Sequence, residues 1–129
     1  MTKKKGKEIV HIISFANQKG GVGKTTSAVN CAACLGSLGK RTLLIDLDPQ
    51  GSSTSGVGVA KNTIKHSSYD VLTKVCTPKK AIIETGFSNL YIMPSNMSLA
   101  AAELELYELE EDENFAKIAL DSVKDDFDY

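Results

Sequence analysis

Residues 19–26 read Lys-Gly-Gly-Val-Gly-Lys-Thr-Thr and stand between two very different patterns. Ahead of them, residues 9–16 (Ile-Val-His-Ile-Ile-Ser-Phe-Ala) form a nearly continuous apolar, β-branched run. Such a run predicts a strand buried on both faces, as in a parallel sheet. Behind them, residues 24–38 carry apolar positions at helical spacing. Strand, glycine-rich loop and helix in that order confine the chain to an α/β fold and make a cradle for a polyphosphate.

The loop chemistry follows from residue type. Gly20, Gly21 and Gly23 allow positive φ and close approach of the backbone to a ligand. Backbone N–H groups then converge on phosphate oxygens, backed by the start of the helix. Lys24 would bring positive charge to the β and γ phosphates, and Thr25 a hydroxyl for Mg²⁺. The candidate nucleotide site is therefore Lys19, Gly20, Gly21, Val22, Gly23, Lys24, Thr25 and Thr26, with Mg²⁺ beside the phosphates; the resemblance drawn below implies ATP as the nucleotide. The strict G-x-x-x-x-G-K-[ST] pattern is not met. Gln18 stands where its first glycine would fall, and Lys19 adds a second lysine to the loop.

Further along, residues 42–46 predict a second buried strand that ends in Asp46-Leu47-Asp48-Pro49-Gln50-Gly51. In open α/β sheets ligands gather at the C-terminal ends of strands, so both polar loops are delivered to one edge. Residues 51–58, rich in Ser, Thr and Gly, read as a loop. Short helices are predicted over 68–75 and 78–83, the latter with Pro78 in its first turn. Residues 90–94 predict a third strand, and 97–109 and 114–124 two more helices. Residues 126–129 resemble the approach to a further strand. The fold class is α/β: a doubly wound, mainly parallel sheet with flanking helices, of P-loop NTPase type and partial. Residues 1–8 form a basic flexible tail and 9–129 the partial domain.

Composition narrows the function classes. Among 129 residues there is no Trp and no apolar run near the roughly 18 residues that span a bilayer. A cytoplasmic protein is expected. The net charge of −1 hides an asymmetry. Residues 1–65 hold ten Lys or Arg against three acidic residues, +7, whereas 66–129 hold five against thirteen, −8. Phosphate chemistry lies in the positive half. The acidic run over 103–113 reads as a solvated helix face. Cys31 and Cys34 make a C-x-x-C within the first helix, where small buried residues are the simpler reading than a redox or metal pair. His11 reads as a strand-packing residue.

With both loops in view, a resemblance is plain. Residues 17–26 look like the deviant Walker A motif of the ParA/MinD ATPases. Asp46-Leu47-Asp48-Pro49-Gln50-Gly51 resembles the Walker A′ motif of the ParA branch, and Pro94-Ser95 with residues 99–105 resembles the stretch after that family's third strand. The resemblance implies that Lys19 reaches across an ATP-dependent homodimer to the partner's nucleotide, with Gly20 leaving room for it. It implies catalytic roles for Lys19, Lys24 and Asp48, the last orienting the attacking water, and Thr25 and Asp46 at the metal. It further implies a partitioning ATPase, cytoplasmic and nucleoid-associated. Such an enzyme binds DNA non-specifically, through regions mostly outside this chain, and a ParB-like protein stimulates its hydrolysis. The chain would correspond to the N-terminal half, ending before the family's Walker B aspartate and turning over ATP feebly alone. A MinD-like membrane-positioning ATPase is the alternative, disfavoured by Asp48-Pro49-Gln50, so no membrane is expected. An iron–sulfur carrier and a non-catalytic nucleotide-binding fragment stand as further alternatives.

Overall fold

The computed structural model describes residues 9–98, 100 and 114–129. The basic tail, the acidic run and most of the helix predicted over 97–109 lie outside these residues. Helix α1 is Lys24–Ser37 and strand β1 Thr42–Ile45. Short helices α2 (Ser52–Gly56), α3 (Ser68–Leu72) and α4 (Pro78–Ala81) follow. Strands β2 (Ile83–Glu84) and β3 (Leu90–Met93) and helix α5 (Asn114–Asp121) complete the order.

The three strands lie in the order β1-β3-β2. β1 and β3 pair in parallel, Thr42 opposite Leu90 and Ile45 opposite Met93. The two-residue β2 pairs antiparallel with β3 and closes that edge. Alternation along the strands sorts side chains into two layers. Leu44, Leu90 and Ile92 pack with Ala32 of α1 and Val57 beyond α2. Met93 joins Val71 of α3, Ala81 of α4 and Ala119 of α5 on the opposite face, with Leu43 and Ile45 against them. Leu90 and Ile92 are fully buried. Removal from water stabilises each such side chain by about 1.5–3 kcal/mol.

Local chemistry explains the ends of these elements. Gly23 at φ 93° starts α1, and Gly39 at φ 82° turns the chain after it. At α3, the Ser67 hydroxyl and Asp70 carboxylate close a capping box, the Asp70 carboxylate accepting the Ser67 N–H at 2.7 Å. Pro78 occupies the first turn of α4, where its missing N–H costs nothing.

Three expectations change. Residues 51–58 are not loop throughout: Gly51 in the left-handed region (φ 63°) leads into α2. The helix predicted over 78–83 stops at Ala81, and Ile83 instead begins the two-residue strand β2. The largest change is at residues 9–16, which form no strand in the described structure, with Ile9 81% and Ile12 74% exposed. A strand needs a ladder along its edges. The one such bond that residues 9–16 make to a described residue runs from the His11 N–H to the Asp128 carbonyl, 3.0 Å. His11 itself is exposed and stacks on Tyr129, ring centres 5.2 Å apart.

Candidate nucleotide site

The glycine-rich loop folds back on Asn17. The Asn17 side-chain carbonyl accepts the Lys19 N–H at 2.8 Å, and its main-chain carbonyl accepts the Lys24 ammonium at 2.8 Å. Gly21 at φ 70° and Gly23 at φ 93° supply the left-handed turns. Gly20 does not need positive φ, and nothing lies within 4 Å of where its Cβ would be. α1 has neither a side-chain cap nor an acidic residue in its first turn. Its first N–H groups and the positive end of its dipole therefore face the loop without a described protein partner, as an anion site requires.

The second loop is built around Asp46, which is 3% exposed at the end of β1. One carboxylate oxygen accepts the Asp48 N–H at 3.1 Å. The other accepts the Thr54 N–H at 2.9 Å and the Thr54 hydroxyl at 2.7 Å. Thr54, wholly buried, in turn accepts the Ser95 N–H at 3.0 Å, while the Ser68 hydroxyl donates to the Asp46 carbonyl at 2.8 Å. This network ties the loop after β1 to the loop after β3 and to α3. Asp48 is exposed and makes a turn of its own, its carboxylate accepting the Gln50 N–H at 2.9 Å. Lys61 donates to the Gln50 carbonyl.

The two loops meet. Asn17, Lys24, Thr25, Asp46 and Asp48 line one cavity of about 890 Å³ that runs on between residues 9–16 and β1. A smaller cavity of about 290 Å³ lies against Val22, Gly23 and Lys24. Lys19 and Thr26 are exposed beside the cradle, and Lys19 has no ion pair among the described residues. Thr54 and Ser95 fall in stretches that carry the family resemblance, but no role is legible for them or for Ser68, since scattered hydroxyls carry no periodic signal. The one cue was Thr54 in a Ser/Thr-rich stretch eight residues past Asp46. Cys34 is exposed and Cys31 half-buried, so a buried pair is not what forms there; both are free thiols. Among the described residues no three His, Cys, Asp or Glu side chains gather to hold a metal.

An uncapped helix start, a glycine-rich loop with its lysine, and two aspartates at the next strand's end make a candidate nucleotide site of the P-loop class. A family model described as AAA domain matches residues 10–129, and the chain belongs to that family of P-loop ATPases. It is 46% identical over 118 residues to the sporulation initiation inhibitor protein Soj of Bacillus subtilis, covering 92% of this chain and 47% of Soj. Among solved structures, a cobyrinic acid a,c-diamide synthase from Mycobacterium smegmatis with bound ATP analogue and magnesium superposes with a TM-score of 0.82. It is 39% identical, over 88% of this chain and 46% of that one. The cell division ATPase MinD of Pyrococcus furiosus gives a TM-score of 0.75 at 30% identity, over 93% and 48%. The chain spans about half the length of the relatives it matches.

Proposed function

We propose that this chain is the nucleotide-binding part of a ParA-like partitioning ATPase that takes ATP with Mg²⁺. The observation that carries the reading is the shared cavity, where Lys24 and Thr25 at the uncapped start of α1 meet Asp46 and Asp48. The similarity to Soj supports the partitioning role, and the ATP analogue and magnesium in the Mycobacterium smegmatis structure support the ligands.

In this reading the Lys24 ammonium leaves the Asn17 carbonyl and pairs with the β and γ phosphates. The Thr25 hydroxyl holds Mg²⁺, which when bound neutralises phosphate charge during transfer. Asp46 has three of its roughly four acceptor positions taken by Asp48 and Thr54, so its contribution at the metal is indirect. It sets the backbone from which Asp48 projects. Asp48 gives one oxygen to its own turn and keeps the other to orient the attacking water. Lys19, exposed on the loop, is placed to reach a second subunit's nucleotide, which would couple hydrolysis to dimerisation. Non-specific DNA binding and stimulation by a ParB-like protein complete the role. Among the described residues no helix is long and apolar enough to cross a membrane.

The first test is a fluorescent ATP analogue titrated onto the chain with Mg²⁺. Loss of a charge-assisted contact worth about 1.5–3 kcal/mol means that Lys24→Ala should weaken binding about tenfold or more. Equal binding by the two proteins would overturn the assignment of the site. In a chain of the relatives' length, ATP should produce dimers with salt-sensitive affinity for DNA of any sequence. Monomers indifferent to ATP and without DNA affinity would overturn the partitioning role.

A further inference from the structure

Asp48 stands at the head of a turn closed by two bonds. The Gly51 N–H donates to the Asp48 carbonyl at 2.8 Å, and the Gln50 N–H donates to the Asp48 carboxylate at 2.9 Å. The first bond closes a β-turn with Asp48 first, Pro49 second and Gly51 last, residue types that such turns favour. The second is an Asx-turn, which fixes the direction of the Asp48 side chain. With one carboxylate oxygen committed there, the place of the other follows from the geometry of residues 48–51. Yet Asp48 and Gln50 are exposed, so water competes for both bonds.

Lys61 supports this turn from outside the cavity. Asp48 and Pro49 line the cavity, whereas Gln50, Gly51 and Lys61 do not. Buried Val57, and Val59 packed beside it, anchor the chain after α2, and the Val59 N–H donates to the Thr54 carbonyl at 3.2 Å. A single 3₁₀ turn, Lys61–Thr63, follows. From it the Lys61 ammonium donates to the Gln50 carbonyl. The Lys61 stem lies against Gly51, where an added Cβ would meet the Lys61 Cε at 3.1 Å and the Ser95 carbonyl oxygen at 3.0 Å. Among the described residues Lys61 has no carboxylate partner. Its ammonium is spent on this one carbonyl instead. The Gln50 carbonyl and the Gly51 N–H belong to the same peptide group. A cation on the carbonyl polarises that group and strengthens its N–H as a donor to Asp48.

We infer that Lys61 is a positioning residue for Asp48. It clamps the peptide that closes the Asp48 turn, and so fixes the carboxylate oxygen left to the attacking water. The inference rests on the catalytic role proposed for Asp48. Because Lys61 acts through the turn and lies off the cavity, its effect falls on turnover and not on nucleotide affinity.

The test uses two variants. Lys61→Met keeps an apolar stem and removes the ammonium, while Lys61→Arg keeps a cationic donor. Residue-resolved amide exchange without nucleotide comes first. In Lys61→Met the Gln50 and Gly51 amides should exchange about fivefold faster or more, since a charge-assisted bond is lost. The amides of Leu44 and Ile92 should keep the parent rate, and Lys61→Arg should restore all of them. Unchanged Gln50 and Gly51 rates in Lys61→Met would overturn the inference. So would acceleration spread evenly to Leu44 and Ile92, which would make Lys61 a contributor to general stability. Equal acceleration in both variants would overturn the role of the charge. Steady-state ATP hydrolysis in a chain of the relatives' length comes second. There Lys61→Met should lower kcat about fivefold or more and leave KM within about twofold. A raised KM at unchanged kcat would overturn positioning. Absence of hydrolysis by the parent would overturn the ATPase reading, and with it the catalytic half of the inference, whatever the exchange rates.

Discussion

Thr54 matters to the nucleotide site without facing it. Its hydroxyl donates to Asp46 and accepts from the Ser95 N–H, all in a region closed to water. Thr54→Val keeps the shape but removes one donor and one acceptor. Two buried polar groups are then under-satisfied, at about 1–3 kcal/mol for the loss. Urea unfolding should show this as a lower midpoint, and Thr54→Ser should recover most of it. The cysteines make a second contrast. Burial pushes the Cys76 thiol above its ordinary pKa, the Asp70 carboxylate adds to the rise, and Lys80 offsets part of it. A raised pKa leaves less thiolate near neutral pH, and the thiolate is the nucleophile. Iodoacetamide at neutral pH should therefore modify exposed Cys34 before Cys76, and the Cys76 rate should climb only at more alkaline pH. Mass spectrometry of timed digests would read both.

α1 is the longest described helix, and its two ends do different work. Its start is left open for a ligand, while its end is pressed against the turn before β3. A Cβ on Gly36 would sit 2.2 Å from the Ser88 carbonyl oxygen, and the Asn89 side chain donates to the Gly36 carbonyl at 3.1 Å. Alanine is the better helix former by about 1 kcal/mol. The clash is with main chain that the β1–β3 register holds in place, so overpacking wins. Gly36→Ala should destabilise the chain by about 1–3 kcal/mol net, measured as a lower Tm. A gain in stability would mean that this contact yields easily. In contrast, Gly20 meets nothing and has no positive φ, so its role rests on what approaches from outside the chain.

For the molecule as a whole, the candidate nucleotide site lies where the packed sheet meets residues 9–16, whose apolar side chains are exposed. β1, β3 and the helices on their two faces make two apolar clusters, one on each face of the sheet. Residues 9–16, which lead directly into the loop, have exposed apolar side chains and one ladder bond to a described residue. A ligand that organises the loop therefore acts on a part with little stability of its own. Mg²⁺ and ATP at about 100 times the Kd should add about 2.7 kcal/mol to stability and raise the Tm accordingly. Mg²⁺ and ATP should leave the Lys24→Ala protein nearly unmoved. A Tm independent of nucleotide in both proteins would count against binding at this loop.

Much of this was legible along the chain because it depends on near neighbours. Helix α1, the left-handed turns at Gly21 and Gly23, the strands β1 and β3 and the proline-started α4 follow from spacing and residue type, which act over a few positions. Lys24 and Thr25 were singled out on the same grounds, and Asp46 and Asp48 by the resemblance of their loop to a family motif. Other features depend on contacts between distant residues. That Asp46 spends its carboxylate on Thr54 and Asp48 was decided by a fold that brings residues 54, 68 and 95 around it. Whether residues 9–16 are a strand was likewise not a property of their own apolar pattern. A strand is completed by its neighbours, and the one backbone bond from residues 9–16 to a described residue is that of the His11 N–H to the Asp128 carbonyl.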